Sequence, residues 1–478
     1  MLEMLDILLI HGYVITMQGE GVGIIEDGAV GIRGNEIVQV GKAGDLAGCR
    51  AKRVIDATDK VVMPGLIDAH IHTSISVLRG IAQDIENWMT DGLWPFETKL
   101  RQHPELSMKG TRLNILESVK AGTTTFCDFD SPMDMLVKNH YEIGTRARVA
   151  ELVSGLPVDN SKVNADQLFP LSREIEKVKL ERNLQLISNW NGEAGGRITC
   201  MLGPQAADMV TKETLIEIRD LAEKYDVGIH MHVSQSRHEN QQTVLKYGKR
   251  AIPFLKDIGY LDSRLTGVHL IDATRDEAHM LGASGAGMVA CNTGDVLICG
   301  ALPPSVEFCE VSEKLAIGSD EAPGNNCCNM FNEMKFTSLL NKLRSHSSTV
   351  FPAWKILRMA TIDGAKAIGL GDQIGSIEIG KKADIILVDL KTPTMTPVLT
   401  YPVRNIVPNL VYSARGDEVN TVIIDGRIIM ENREMLTVDE AEVLEEAQTA
   451  AACVAEEAVP EFNARKTELY DMMRNRQL

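Results

Sequence analysis

The chain has 478 residues, 44% of them hydrophobic, and its 49 basic and 66 acidic residues give a formal net charge of −17. This length can bury a large core, and the acidic balance argues against nucleic acid or an acidic membrane surface as a partner. Residues 1–6 lack a basic leader, no apolar run approaches the roughly 18 residues of a membrane span, and the nine cysteines show no C-x-x-C spacing. We therefore expect a cytoplasmic globular protein with reduced thiols.

Strand-like segments fill both ends of the chain. Residues 5–62 carry short apolar runs, two of which are separated by the hairpin-like turn Arg33-Gly34-Asn35, and residues 383–389 and 421–430 are similar in character. Two β-rich ends that enclose a long α/β middle predict one small β-sandwich, composed of residues 1–62 and 375–432.

The middle of the chain alternates short apolar runs with helical segments, which is typical of parallel βα units. Eight such strands over residues 63–374 predict a TIM-like (β/α)8 barrel. The alternative, an open doubly wound sheet, would need a glycine-rich phosphate loop after its first strand, where the sequence instead has His-Ile-His. The candidate strands are Leu66–His72, Thr123–Asp128, Arg146–Val153, Arg197–Leu202, Val227–Val233, Leu265–Leu270, Gly287–Cys291 and Leu315–Ser319.

The last segment, residues 433–478, is acidic and rich in alanine, with a helical period. It predicts a helical tail at the surface or at a subunit contact, interrupted at Pro460.

Metal-type ligands lie at the ends of four candidate strands. His70 and His72 end a strand predicted over Val61–Ile71, interrupted by Pro64-Gly65, and they point the same way because side chains alternate along a strand. The fifth strand carries a second His-x-His, the sixth ends at His269 and the eighth at Asp320. Because the active sites of barrels lie at these strand ends, the pattern predicts a site for one divalent metal.

The motif Pro64-Gly65-Leu66-Ile67-Asp68-Ala69-His70-Ile71-His72 resembles the first metal motif of the amidohydrolase superfamily. Leu78-Arg79-Gly80 and Leu93-Trp94-Pro95-Phe96-Glu97 are similar to the branch that contains the s-triazine hydrolases and the methylthioadenosine/S-adenosylhomocysteine and guanine deaminases, and the similarity extends to about residue 432. The resemblance implies the same barrel and sandwich.

This resemblance also implies the roles of the strand-end residues. His70, His72, His232 and Asp320 would hold the metal, Asp320 would also accept a proton from the attacking water, and His269 would orient the nucleophile and stabilise charge. His230 is expected to pack behind them. Because the fourth strand ends without a lysine that could bridge two metals, we expect one metal, zinc by default, with iron, cobalt or manganese as alternatives.

One position departs from this branch. Its deaminases have a glutamate three residues after the third ligand, and this chain has Gln235, which can form hydrogen bonds but cannot shuttle a proton near neutral pH. Glu321 is the first candidate for a replacement acid, and Glu239 and Asp272 are further candidates. The alternative for Glu321 is a loop carboxylate that accepts backbone hydrogen bonds.

The remaining candidates are predicted substrate contacts. Trp88 and Trp94 could close the pocket over a flat ring or belong to the core, Gln83 occupies a position that meets substrate in relatives, and Asn325 could contact a heterocycle edge or form a turn.

The leading function is mononuclear, metal-dependent hydrolysis of a nitrogen heterocycle (a purine, pterin, pyrimidine or s-triazine), in which activated water attacks a ring carbon and expels ammonia, an amine or another leaving group. The second hypothesis is hydrolysis of an exocyclic amide, urea or carbamate C–N bond, which Gln235 favours. A non-catalytic scaffold is a minor third. We expect a small-molecule substrate and a homodimer or homotetramer.

Overall fold

The computed structural model describes residues 4–157 and 167–478. Its strands are β1 (Leu5–Ile15), β2 (Ile24–Arg33), β3 (Glu36–Lys42), β4 (Ala51–Asp56), β5 (Lys60–Pro64), β6 (Leu66–Ile71), β7 (Thr123–Asp130), β8 (Arg146–Val153), β9 (Ile198–Pro204), β10 (Gly228–Val233), β11 (Leu265–His269), β12 (Gly287–Ala290), β13 (Leu315–Ile317), β14 (Ile385–Asp389), β15 (Val419–Ile424), β16 (Arg427–Glu431) and β17 (Glu434–Met435).

Helices follow most of the strands from β6 to β13. They are α1 (Ala43–Leu46), α2 (Trp94–Leu100), α3 (Pro104–Lys120), α4 (Met133–Ile143), α5 (Arg173–Trp190), α6 (Glu193–Gly196), α7 (Lys212–Tyr225), α8 (Arg237–Tyr247), α9 (Ala251–Asp257), α10 (Arg275–Ala283), α11 (Asn292–Cys299), α12 (Ser305–Phe308), α13 (Ala322–Asn325), α14 (Met330–Arg344), α15 (Ala353–Met359), α16 (Ile362–Ala367), α17 (Ile406–Tyr412), α18 (Glu440–Ala464) and α19 (Glu468–Arg474). Thr73–Leu78 forms a 3₁₀ helix and Trp88–Leu93 a short π helix. Among the described residues, no helix is both long and apolar enough to cross a membrane.

Strands β6 to β13 form a parallel barrel in which each strand pairs with the next along the chain. The barrel closes where the ends of β6 and β13 meet, because Ile71 and Asp320 pair in parallel. The predicted TIM-like barrel is confirmed, and every candidate strand lies within two residues of the observed one. Strands β6, β7 and β10 are buried along their whole length, although each carries polar residues among its apolar ones.

The other strands form one mixed sheet from both ends of the chain, in the order β17-β16-β15-β14-β5-β1-β2-β3, with β4 paired to β1. Its two halves join where β5 and β14 run antiparallel, with Met63 opposite Ile386. The predicted small β-sandwich built from both termini is confirmed, whereas the limits proposed for the three domains stay predictions.

The single strand predicted over Val61–Ile71 is two strands in two different sheets. The chain leaves the sandwich at Pro64 and enters the barrel at Leu66, and a Cβ on Gly65 would lie 2.1 Å from the Thr124 hydroxyl oxygen. Only glycine allows this close approach, so the Pro-Gly pair marks the passage between the sheets.

The C-terminal tail forms two helices that pack over one side of the barrel. Buried Val454 and Ala458 of α18 and Tyr470 of α19 share an apolar cluster with Trp88 and Phe96. The predicted break at Pro460 is wrong, because α18 continues to Ala464. A proline removes one intrahelical hydrogen bond, and the apolar packing on both sides of Pro460 holds the last turn in place.

Acidic side chains of this tail pair with basic side chains on the neighbouring helices. Lys109, Lys120 and Lys99 contact acidic residues of α18, at 2.7 Å for Lys120–Glu440 and 2.6 Å for Lys99–Glu461. These pairs are partly exposed, so they orient the tail more than they stabilise it.

A buried arginine connects the barrel to the sandwich. Arg146, at the start of β8, donates from Nε to Asp384 Oδ2 at 2.5 Å and from Nη2 to Asp425 Oδ1 at 2.9 Å. Arg146 and Asp384 are each about 95% buried or more. Each charge therefore depends on the other, since a buried charge without a partner is strongly destabilising.

We expect Arg146→Met to lower the free energy of unfolding by about 3–5 kcal/mol, because Asp384 would lose its cation in a buried environment. Urea unfolding of the variant beside the parent measures the change. Arg275→Met is the matched control, because Arg275 pairs with Glu310 at an exposed position, and it should cost less than about 1 kcal/mol. Equal effects of the two substitutions would contradict this account of the contact.

Candidate metal centre

The carboxyl ends of β10, β11 and β13 have unusual backbone conformations. Ser234, His269, Leu270 and Asp320 all have positive φ, at +47°, +73°, +60° and +66°. Such angles cost roughly 1–3 kcal/mol each in non-glycine residues and persist where the surrounding structure holds them, often at functional sites. Four non-glycine residues with positive φ therefore lie at the edge of the barrel where the predicted ligands lie.

The four predicted metal ligands converge at this edge. His232 Nε2 lies 3.2 Å from His70 Nε2, and Asp320 Oδ1 lies 3.4 Å from His70 Nε2 and 3.8 Å from His72 Nε2. One nitrogen each of His70 and His72 and one oxygen of Asp320 lie within 4.8 Å of one another, and the same is true of nitrogens on His70, His232 and His269.

The backbone hydrogen bonds that close the barrel set this spacing. His72 N–H donates to Asp320 O at 2.7 Å, and Asp320 N–H donates to His70 O at 3.0 Å. A Cβ on Gly318 would lie 2.8 Å from His70 O, so glycine is required where the eighth strand meets the first. The ligands from the first and the eighth strands are thus adjacent residues of one hydrogen-bonded ladder.

The outer nitrogens of two histidines are fixed by carbonyl groups. His72 Nδ1 donates to Phe129 O, and His232 Nδ1 donates to Gln205 O at 3.0 Å. Because a carbonyl oxygen only accepts, both rings carry a proton on Nδ1, which leaves Nε2 to face the neighbouring ligands: His72 Nε2 lies 3.8 Å from Asp320 Oδ1, and His232 Nε2 lies 3.2 Å from His70 Nε2. Imidazole nitrogens and a carboxylate are a set of ligands that fits a divalent cation.

Burial keeps the central imidazoles neutral. Burial, together with the neighbouring histidines, holds the pKa of His70 and of His232 well below the ordinary value. His230 lies behind His70, with its Nε2 2.8 Å from His70 Nδ1, and burial lowers its pKa to about 3. Neutral imidazole is the form that ligates metals, so these residues suit the role that the sequence predicts for them.

His269 has a carboxylate partner that the sequence reasoning missed. Its Nδ1 lies 2.9 Å from Asp295 Oδ1, and Asp295 is only 3% exposed. Burial alone would lower the pKa of His269, but the Asp295 carboxylate outweighs that effect and raises the pKa to about 9. The available signal was the run Asn292-Thr293-Gly294-Asp295 directly after the seventh strand, where barrel active sites recruit polar residues.

Gln235 is half-buried beside a second buried carboxyl group. Its backbone N–H donates to Glu239 Oε2 at 2.7 Å, and Glu239 belongs to the first turn of α8. Burial, with the nearby Asp208 carboxylate, raises the pKa of Glu239 to about 8. A carboxylic acid that stays largely protonated at neutral pH therefore lies behind the turn that carries Gln235.

Glu321 lies directly after Asp320, before the first residue of α13, and is 9% exposed. Burial raises its pKa, and the carboxylates of Asp320, Glu97 and Asp130 act in the same direction. Glu97 is itself held by Arg101, whose Nε donates to Glu97 Oε1 at 3.0 Å. Glu321 thus belongs to a buried acidic group next to the metal ligands.

The predicted substrate contacts occupy different environments. Trp88 is 5% exposed within the cluster formed with the C-terminal helices, and Trp94 is half-buried at the start of α2. Gln83 donates to Pro323 O in α13, which follows Asp320. Asn325 is buried, and its amide donates to Ser319 O at 2.7 Å and to Glu333 Oε1 at 2.9 Å, so it supports the loop that carries Asp320. Their roles toward a substrate stay predictions.

We expect His232→Ala to lose most of its bound metal, because the substitution removes one of the four converging ligands. Elemental analysis of purified protein measures the metal bound per chain. His279→Ala is the control: His279 is half-buried and contacts Glu310 on the outer surface. A variant at His232 that retained the metal content of the parent would contradict the ligand set.

Comparisons with known proteins agree with this geometry. The sequence profile described as Amidohydrolase family matches residues 61–429. A 5-methylthioadenosine/S-adenosylhomocysteine deaminase from Thermoanaerobacter pseudethanolicus is 35% identical over 440 residues, which cover 91% of this chain and 96% of the relative. A 5'-deoxyadenosine deaminase from Methanosarcina barkeri is 33% identical over 463 residues, covering 96% of this chain and all of the relative.

Solved structures show the same fold. An adenosine deaminase from Xanthomonas campestris with bound zinc is 28% identical, with a TM-score of 0.86, and covers 95% of this chain and 99% of its own. A triazine hydrolase variant superposes with a TM-score of 0.83 at 22% identity, over 93% of this chain and 99% of its own. The resemblance read from the strand-end motifs is confirmed, and the chain is a hydrolase that belongs to the amidohydrolase family.

Proposed function

We propose that this hydrolase removes an amino group from a nitrogen heterocycle, with 6-aminopurine nucleosides of the adenosine type as the leading substrate class. The observation that carries the proposal is the convergence of His70, His72, His232 and Asp320 at one edge of the barrel. Ligand atoms of His70, His72 and Asp320 lie within 4.8 Å of one another, and His232 Nε2 lies 3.2 Å from His70 Nε2. The deaminase names of relatives that match nearly the whole chain support the nucleoside class. The zinc in the 28% identical structure supports zinc as the single metal.

When bound, a divalent cation supplies a water of lowered pKa at the open end of these strands. Asp320 would accept a proton as that water attacks the ring carbon, because its carboxylate lies among the ligands. His269 would hold the attacking oxygen and stabilise charge, since its ring lies 5.1 Å from the His232 ring and 5.4 Å from the His70 ring, centroid to centroid.

Glu321 is our candidate for the acid that protonates the heterocycle. The argument is positional: Gln235 cannot donate a proton near neutral pH, and Glu321 is a buried carboxyl group directly beside Asp320. Gln235 would then contribute a hydrogen bond to the substrate.

The second candidate function is hydrolysis of an exocyclic amide, urea or carbamate C–N bond. Gln235 favours this reaction, because such a substrate needs no protonated ring nitrogen. The products distinguish the two candidates: ammonia with a hydroxylated ring in one case, an amine with an acid or carbon dioxide in the other.

The zinc-loaded protein should release ammonia from at least one of adenosine, 5'-deoxyadenosine, 5'-methylthioadenosine and S-adenosylhomocysteine. Ammonia assay and the ultraviolet change of the purine measure the reaction, with aminated pterins, pyrimidines and s-triazines as parallel probes. A chelator should abolish turnover and added zinc should restore it. Turnover that survives complete removal of metal, or ammonia from none of these compounds, would overturn the proposal.

Glu321→Gln should lower kcat for ammonia release about 10²-fold or more, because a positioned general acid contributes roughly 10²–10⁴ in rate. Gln235→Glu should restore part of this loss when the two are combined, since it returns an acid to the position that relatives use. The double variant is compared with each single variant at equal zinc content. Full activity of Glu321→Gln would mean that the acid lies elsewhere.

The predicted homodimer or homotetramer and the cytoplasmic location stay predictions, and size-exclusion chromatography with light scattering tests the first.

A further inference from the structure

Asp295 is a buried carboxylate whose one side-chain hydrogen bond within the described residues is to His269. Oδ1 lies 2.9 Å from His269 Nδ1, and Oδ2 is buried with no partner in the same part of the chain. Burial raises the pKa of Asp295, and the His269 ring beside it acts in the opposite direction. A buried carboxylate is costly unless it is paired, so this residue is dedicated to His269.

Asp295 lies in α11, a helix whose first turn approaches the predicted metal ligand Asp320 closely. Helix α11 begins one residue after Cys291, at the carboxyl end of β12, and its backbone passes beside the metal ligands. A Cβ on Gly294 would lie 3.2 Å from Asp320 Oδ2, so a side chain there would press on that carboxylate. Gly294 thus allows the first turn of α11 to approach Asp320, and the next residue then reaches His269.

His269 has an unusual backbone conformation, and neighbouring side chains hold its ring in place. His269 and Leu270 are consecutive residues with positive φ at the end of β11. The ring stacks on His232 with an interplanar angle of 24° and meets His70 edge-on at 80°. Without a partner on Nδ1, the imidazole could carry its proton on either nitrogen.

We propose that Asp295 is the positioning residue of the active site: it holds His269 with a proton on Nδ1 and so directs Nε2 toward the converging ligands. The carboxylate oxygen can only accept, which excludes the form of His269 that has a bare Nδ1. An asparagine could either accept or donate at the same place and would not select one form. The role in turnover rests on the proposed deamination, whereas the proton position on His269 does not.

Asp295→Asn is the direct test, because it keeps the shape and removes the selection. In the zinc-loaded variant we expect kcat for ammonia release to fall about 10- to 100-fold, as for other residues that orient a site through a second side chain, with KM changed less than about threefold. Zinc content should be unchanged, because Asp295 contacts none of the four predicted ligands. Asp276→Asn, an exposed position in the first turn of α10, is the matched control and should retain full kcat.

The position of the proton is measured separately by ¹⁵N NMR of histidine-labelled, zinc-loaded protein, with His269→Gln used for assignment. The parent should show a protonated Nδ1 on His269, and Asp295→Asn should show a changed or mixed state. The parent spectrum, assigned with His269→Gln, decides whether Nδ1 of His269 carries a proton even if Asp295→Asn fails to fold.

Three results would overturn the proposal: a bare Nδ1 on His269 in the parent, full kcat in Asp295→Asn, or a loss of zinc in that variant that accounts for its lost activity. If the parent releases ammonia from no probe, the proposed function fails, and the spectrum still decides the role of Asp295.

Discussion

The backbone ladder that joins the first and eighth barrel strands is the constraint on which the rest of the structure depends. His72 and Asp320 share one hydrogen bond of this ladder, and Asp320 and His70 share the next. The hydrogen bonds that close the barrel therefore also bring His70, His72 and Asp320 together. Gly318 serves this closure, because a side chain there would keep the eighth strand away from His70, and Gly65 allows the first barrel strand to approach Thr124 of the second.

The electrostatics of the site follow from burial at that seam. Burial holds the pKa of His70 and of His232 well below the ordinary value, whereas the Asp295 carboxylate raises the pKa of His269. Carbonyl groups behind His72 and His232 accept hydrogen bonds from their Nδ1 atoms. The four predicted ligands are therefore hydrogen-bond acceptors, and one of them is a carboxylate. Such a group is unfavourable when it is empty and favourable around a cation. The left-handed residues at the neighbouring strand ends are held by the same packing, so their strain is part of what keeps the acceptors in place.

Much of this arrangement could be predicted from the sequence, because the signals are local. The alternation of short apolar runs with helical segments predicted all eight barrel strands, and the two-residue spacing of His70 and His72 predicted a shared direction. The division of one apolar run between two sheets at Gly65 was not predictable in this way, since it depends on the contact with Thr124, which is distant in the sequence. Helix α18 continues past Pro460 because of tertiary packing that no local propensity describes.

Asp295 shows most clearly where sequence reasoning ended. Its neighbours are turn-forming and small residues. Nothing in their order indicates that α11, the helix after β12, faces the end of β11, where His269 lies. That relation arises from barrel geometry, in which residues 26 positions apart meet at one edge. Asn325 supports the loop that carries Asp320 through a hydrogen bond from its amide to Ser319 O, a contact that its turn-forming character does not indicate, and its contact with a heterocycle stays a prediction.

The measurement that tests this account most directly is a crystal structure of the zinc-loaded protein with anomalous data at the zinc edge. The account predicts one zinc per chain, with nitrogens of His70, His72 and His232 at about 2.0–2.1 Å and an oxygen of Asp320 at about 2.0–2.2 Å. An anomalous peak elsewhere, two peaks at this edge, or a zinc that lacks His232 or Asp320 would contradict it.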